Sequence, residues 1–117
     1  MRRTDEEYLE TILRTGRDLM KYLAEKGVTR EDILNDQIVQ WTIATPLYNM
    51  GENVCHVSDA LRDLHSEVPW ARIAGMRHRL VHDYEGTNWS IVADTVLSDV
   101  PQFLSQIDEI LGEQLVD

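Results

Sequence analysis

Pro69-Trp70-Ala71-Arg72-Ile73-Ala74-Gly75-Met76-Arg77-His78-Arg79-Leu80-Val81-His82-Asp83-Tyr84 is the stretch whose reading decides the fold. Proline at its head suits the first turn of a helix, where its missing amide hydrogen has no intrahelical partner to lose. Ile73, Met76 and Leu80 then recur at helical spacing and give one apolar stripe. The spacing predicts a helix that starts at Pro69-Trp70 and finishes between Val81 and Asp83.

The flanking sequence reads the same way. Downstream, Gly86-Thr87-Asn88 is a turn, and Asn88 caps a final helix from Trp89 towards Leu115. Its stripe is Ile91/Val92, Thr95/Val96, Phe103/Leu104, Ile107 and Leu111, and Pro101 predicts a kink. Upstream, Ser58 caps a short segment through Leu64. Before it, Asn35 is expected to cap a longer helix whose stripe is Ile38, Trp41, Thr42, Thr45 and Tyr48, kinked at Pro46. Thr29-Arg30-Glu31-Asp32 caps a short turn through Leu34. Thr4-Asp5-Glu6-Glu7 reads as a capping box opening a first helix, with Tyr8/Leu9, Ile12, Leu19/Met20 and Leu23 as its stripe and Gly27 as its stop. No stretch alternates at period two for long enough to build a sheet. The expected architecture is therefore all-α, a four- to five-helix antiparallel bundle with a proline kink in the last helix.

At 117 residues the chain makes one domain, 1–117, with a core of its own. No apolar run approaches the roughly 20 residues needed to span a bilayer. The N-terminus turns acidic at once and lacks the apolar core of a secretory leader, so a cytoplasmic protein with no membrane association is expected. The single cysteine, Cys55, permits no internal disulfide and fits a reducing compartment. In its apolar helical setting it is expected to be a small core residue rather than a nucleophile. A net charge of −10 argues against sequence-blind coating of nucleic acid. It leaves room for one focused basic cleft, because charges further apart than about 8 Å are screened at physiological salt.

Such a cleft has a candidate. No Asp or Glu occurs from Val68 through His82, in a chain that is acidic almost everywhere else. Within that window and just past it, Arg77, His82 and Tyr84 form the pattern Arg-x4-His-x-Tyr. A guanidinium keeps its charge and grips phosphate oxygens in a fork, and an imidazole can move protons near neutral pH. Those are the parts needed to cut an RNA phosphodiester without a metal ion. Five residues is about 140° around an ideal helix, so Arg77 and His82 converge only if the last turn frays or a second copy supplies the other half.

Plainer roles exist for most of these residues. Arg79 can be a solvated surface charge and Tyr84 a rim aromatic. His78 and His82 have the i, i+4 spacing of helical metal sites, but no convincing further ligand lies at a suitable offset, so no metal and no cofactor are expected. Gly51 is expected to allow close helix packing, with Glu52 beside it able to pair with Arg77 or Arg79. Trp41, Trp70 and Trp89 read as core or interface anchors.

Taken in order, the Pro69-Trp70 step, the Gly75-Met76-Arg77 segment, the Arg77-x4-His82-x-Tyr84 motif, Gly51-Glu52 and Pro101 resemble the HepT-like toxins of the HEPN superfamily of helical ribonucleases. The resemblance runs from about Asp5 to Leu115. It implies a homodimer whose two motif helices border one cleft, with Arg77 and His82 as the catalytic pair of an endoribonuclease leaving 2′,3′-cyclic phosphate ends. His78, where the family more often has asparagine, would support them, as would Glu52 and Arg79. It also implies the toxin half of a type VII-like toxin–antitoxin pair. Its partner would be a minimal nucleotidyltransferase (MntA-like) antitoxin that silences the toxin by AMPylation of Tyr84, using ATP and a metal held by the antitoxin. The alternative is a non-catalytic helical module that binds such a transferase.

Overall fold

The computed structural model describes residues 4–82 and 85–115, without the side chains of 82, 114 and 115. Helix α1 (Asp5–Glu25) opens on Thr4, whose hydroxyl accepts the Glu7 amide at 3.2 Å. It closes as expected at Gly27, which takes a φ of 58° that side chains avoid. The Gly27 and Val28 amides turn back onto the carbonyls of Ala24 and Leu23, so the helix end is satisfied. Helix α2 (Arg30–Asn35) carries a reciprocal cap between Thr29 and Asp32.

Helix α3 (Gln37–His56) starts one residue later than the sequence suggests. Asp36, not Asn35, caps it by accepting the Ile38 and Val39 amides. Asn35 is still inside α2, where its amide donates to the Glu31 carbonyl. The helix runs unbroken through Pro46. Helix α4 (Asp59–Leu64) is capped by Ser58, which also gives its hydroxyl and amide hydrogens to the Asp5 carboxylate at 2.6 and 2.9 Å. That contact ties the start of α1 to the end of α3.

Helix α5 (Trp70–His82) has the expected limits. Trp70 at its head is buried, gives its indole hydrogen to the His65 carbonyl at 2.9 Å and stands edge-on to Phe103. Asn88 caps α6 (Trp89–Asp94), which passes through a π-helical turn at Thr95–Asp99 into α7 (Val100–Leu115). Pro101 lacks an amide hydrogen and its ring presses on the carbonyl four residues back. The wider turn just ahead of it, in which the Val100 amide reaches the Thr95 carbonyl, is where the proline's disturbance is taken up.

The long helices make an all-α antiparallel bundle with no strand among the described residues. Helix α3 lies between α1 and α5, and α7 closes the other side of α1. Leu9, Ile12, Leu19, Leu23, Ile43, Leu47, Met50, Ile73, Met76, Phe103 and Ile107 fill the centre. A Cβ at Gly16 would fall 2.4 Å from a Leu104 methyl, so glycine lets α1 press onto α7.

Two further expectations are overturned. The stripe assigned to α3 is its outer face: Ile38 is 62%, Trp41 52% and Tyr48 37% exposed. The inner stripe is Val39, Ile43, Leu47, Met50 and Val54. Both runs have helical period, and the aromatic one points away from the core. Trp41 is accordingly no core anchor, whereas Trp70 is buried and Trp89 packs on the core's edge. Cys55 is exposed rather than a small core residue, because it follows Val54 and points off the inner stripe.

Candidate active site at the contact of α3 and α5

Gly51 sets the geometry. A Cβ there would lie 2.9 Å from both the Ile73 carbonyl oxygen and the Arg77 Cβ, closer than real Cβ atoms come. Only hydrogen fits, so the backbones of α3 and α5 touch at this level. The next residue, Glu52, thereby reaches across, and its Oε2 accepts a hydrogen bond from Arg77 Nε. Both side chains keep about a third of their surface in water, 36% for Arg77 and 35% for Glu52. The pair is therefore covered on one side and open on the other.

Two further side chains extend this pair. His56, one turn beyond Glu52, places Nε2 3.2 Å from the other carboxylate oxygen. Tyr8 of α1 stacks on the His56 ring, with centroids 5.3 Å apart. Sequence reasoning singled out Glu52 but not His56. The visible signal was the Glu52-x3-His56 spacing, which puts carboxylate and imidazole on one helix face.

Burial pushes the Glu52 carboxyl up, but hydrogen bonds and charge from Arg77 and His56 outweigh it and hold the group below the usual carboxylate range. A carboxylate lowered in this way stabilises the fold above its ordinary pKa and loses that contribution as the pH falls through the lowered value. At neutral pH the pair is fully charged. The hydrogen bond to Glu52 and the carboxylate's charge hold the Arg77 guanidinium above its ordinary value, with smaller contributions from Cys55 and Tyr48. Arg77 thus stays cationic at any physiological pH.

Of the remaining sequence candidates, the structure describes the side chains of His78 and Arg79. His78 and Arg79 are exposed on α5. Arg79 lines a recess of about 400 Å³ with Arg72, Gly75, Ile91 and Asp94, between α5 and α6. Two positions along a helix is about 200° of rotation, so Arg79 is not brought together with Arg77 and Glu52. His82 is the last residue of α5, five positions from Arg77 in an unbroken helix. Tyr84, the expected modification site, lies outside the described residues, as does Asp83. Among the described residues no three His, Cys, Asp or Glu side chains group as a metal set. No helix there is long and apolar enough to cross a membrane.

One turn after Arg77 on α5, Leu80 and Val81 border a groove of about 200 Å³ together with Ala44, Thr45 and Tyr48 of α3. That is below the roughly 300–1,000 Å³ of ordinary ligand sites. A larger recess of about 450 Å³, which includes Asp18, Tyr22, Pro46 and Asn49, lies between α1 and α3 and contains no cation. Among the described residues, neither of these two recesses joins Arg77 to the volume of an ordinary ligand site.

An antiparallel helical bundle with the Arg-x4-His motif on one helix and a glycine–glutamate step on the helix against it defines a HEPN-like domain. Comparison with known proteins narrows the class. The family described as "Ribonuclease HepT-like" matches residues 6–110, and the chain belongs to that family. It is 36% identical to a provisionally named RNase of Caldanaerobacter subterraneus subsp. tengcongensis, over 96% of this chain and 98% of the other. It is 29% identical to a similarly named protein of Methanocaldococcus jannaschii, over 91% and 86% of the two chains. To a provisionally named ribonuclease HepT of Thermococcus cleftensis it is 28% identical, over 94% and 98%. No solved structure matches it.

Proposed function

We propose that the chain is a metal-independent RNA endonuclease that works as a homodimer and serves as the toxin of a type VII-like toxin–antitoxin pair. The observation that carries this is Arg77, fixed by Glu52 at the tight contact of α3 and α5, in a HepT-like ribonuclease chain whose motif histidine comes five positions later. His82 takes the proton from a ribose 2′-hydroxyl, and the freed oxygen attacks the adjacent phosphorus. The 5′-oxygen leaves and is protonated, which yields a 2′,3′-cyclic phosphate and a 5′-hydroxyl. Arg77 holds the non-bridging oxygens and offsets the charge that grows on them. Because the Glu52 bond runs through Nε, the terminal nitrogens of the fork can face that phosphate. Incubating the purified protein with RNA in EDTA should give fragments with cyclic ends and leave DNA intact. Intact RNA would instead favour the alternative of a non-catalytic module that binds a nucleotidyltransferase.

The dimer supplies what one chain lacks. Trp41, Tyr48 and Val81 are apolar groups left in water on the side of the small groove between α3 and the end of α5, an exposure that suits a second copy. Two copies meeting there would enclose two Arg77 and two His82 residues in one cleft. Trp41→Glu is expected to shift the protein to monomer in sedimentation velocity and to lower cleavage at least tenfold. A fully dimeric, fully active variant would remove this face from the proposal.

Tyr84 is the proposed target of a minimal nucleotidyltransferase antitoxin. Each AMP would add about 329 Da and place negative charge beside Arg77 and His82, where it would repel a phosphate. Co-expression with the transferase should add mass in those steps to the parent chain and none to Tyr84→Phe.

A further inference from the structure

Glu52 has two carboxylate oxygens, and the structure gives each its own partner. Oε2 accepts from Arg77 Nε, and Oε1 faces His56 Nε2 at 3.2 Å. The His56 ring is itself held from a third element, since Tyr8 of α1 lies against it at 18° from parallel. Helices α1, α3 and α5 thus converge on one line of contacts, Tyr8 to His56 to Glu52 to Arg77.

This division matters because a carboxylate beside a guanidinium favours the forked contact, with two oxygens on two N–H groups. In that geometry Glu52 would take Nε together with a terminal nitrogen of Arg77. It would then occupy a donor that a phosphate needs. An imidazole on Oε1 opposes the rotation that brings the second oxygen round. We infer that His56 is a positioning residue for Arg77: by holding Oε1 of Glu52 it keeps the carboxylate on Nε and leaves the terminal nitrogens of the guanidinium to an RNA phosphate. The inference rests on the reading of Arg77 as the phosphate-holding group. The plainer account is an exposed i, i+4 histidine–glutamate pair, which contributes little and whose loss changes nothing downstream.

The two accounts separate by measuring binding apart from cleavage. The probe is a fluorescent 2′-O-methyl oligoribonucleotide of mixed sequence, which has phosphates but no 2′-hydroxyl to attack. Anisotropy titration of the full chain should show His56→Ala binding about five- to tenfold more weakly than the parent, the order expected when one charge-assisted hydrogen bond is lost. His56→Gln, whose side-chain amide can still donate to Oε1, should stay within about twofold on the same reasoning. On cleavable RNA, His56→Ala should raise KM more than it lowers kcat. In a Glu52→Gln background, His56→Ala should add nothing, because its effect passes through Glu52. Unchanged binding by His56→Ala would overturn the inference. So would an equal loss in both backgrounds, which would make His56 an independent cation for RNA. If Arg77→Ala leaves binding unaltered, the phosphate-holding role of Arg77 itself fails, and the inference with it. If only Arg77→Ala weakens binding, the inference alone fails.

Discussion

Alanine at Arg77 or at His82 is expected to reduce RNA cleavage by about 10²–10³-fold, the usual loss when one transition-state donor or one proton-transfer group is removed. Removing the Arg77 side chain should disturb the fold little. Losing the Arg77 guanidinium leaves Glu52 at the α3–α5 contact with His56 as its partner among the described residues. The pair is partly solvated, so the structural cost is small. Melting temperatures of Arg77→Ala and parent should therefore differ by no more than a few degrees. His82 is the final residue of α5 and follows the inner stripe of Ile73, Met76 and Leu80. The double variant should be little worse than either single one, because the two groups serve one step. Parent-level cleavage by either alanine variant would end the ribonuclease mechanism as written.

Leucine at Gly51 should have the largest effect on stability. The obstacle to any side chain there is the Ile73 carbonyl oxygen, which belongs to the α5 backbone and cannot rotate away as a flexible side-chain tip could. Helix propensity alone would favour the substitution by about 0.8–1 kcal/mol. Overpacking of this kind costs about 1–3 kcal/mol, occasionally more, and a leucine brings three carbons beyond the Cβ that already collides. Steric cost should win. A fall in melting temperature of roughly 5–15 °C is expected, from about 4–8 °C per kcal/mol in domains of up to 100 residues. Cleavage should fall as well, because prising α3 from α5 moves Glu52 off Arg77. An unshifted melting curve would show that the helices do not touch where the structure has them touch.

Much of the bundle was legible because helix ends are written in local chemistry. Thr29, Ser58 and Asn88 each cap the next helix along the chain, as their hydroxyl or amide side chains suggest. Gly27 stops α1 because it alone takes a positive φ without strain. Asn35 misled because Asp36, one residue on, offers an equally good acceptor and the pattern does not rank them. Facing was harder. Helix α3 carries two stripes of the same period, and only tertiary packing decides that Val39, Ile43 and Leu47 go in while Trp41 and Tyr48 stay out. Cys55 was misplaced for the same reason.

The site was legible in its parts and not in its connections. Arg77 and Glu52 could each be named from the sequence, but which arginine meets the carboxylate depends on the rotation of α5. That rotation is fixed by the burial of Met76 and Leu80. The stack of Tyr8 on His56, across 48 positions of chain, was not legible, because only the fold brings the two rings together.

The π turn at Thr95–Asp99 carries a consequence for how the chain tolerates changes of length. A wide turn holds one residue more than an α-helical turn, so a deletion inside it can close the turn without rotating α7 beyond it. The same deletion between Phe103 and Ile107 would swing every later side chain by about 100° and turn Ile110 and Leu111 towards water. Closing the turn would, however, bring the Pro101 ring back against a regular helical carbonyl. A one-residue shortening is therefore expected to be accepted there only when Pro101 is exchanged at the same time, so that the extra residue and the proline persist or disappear together.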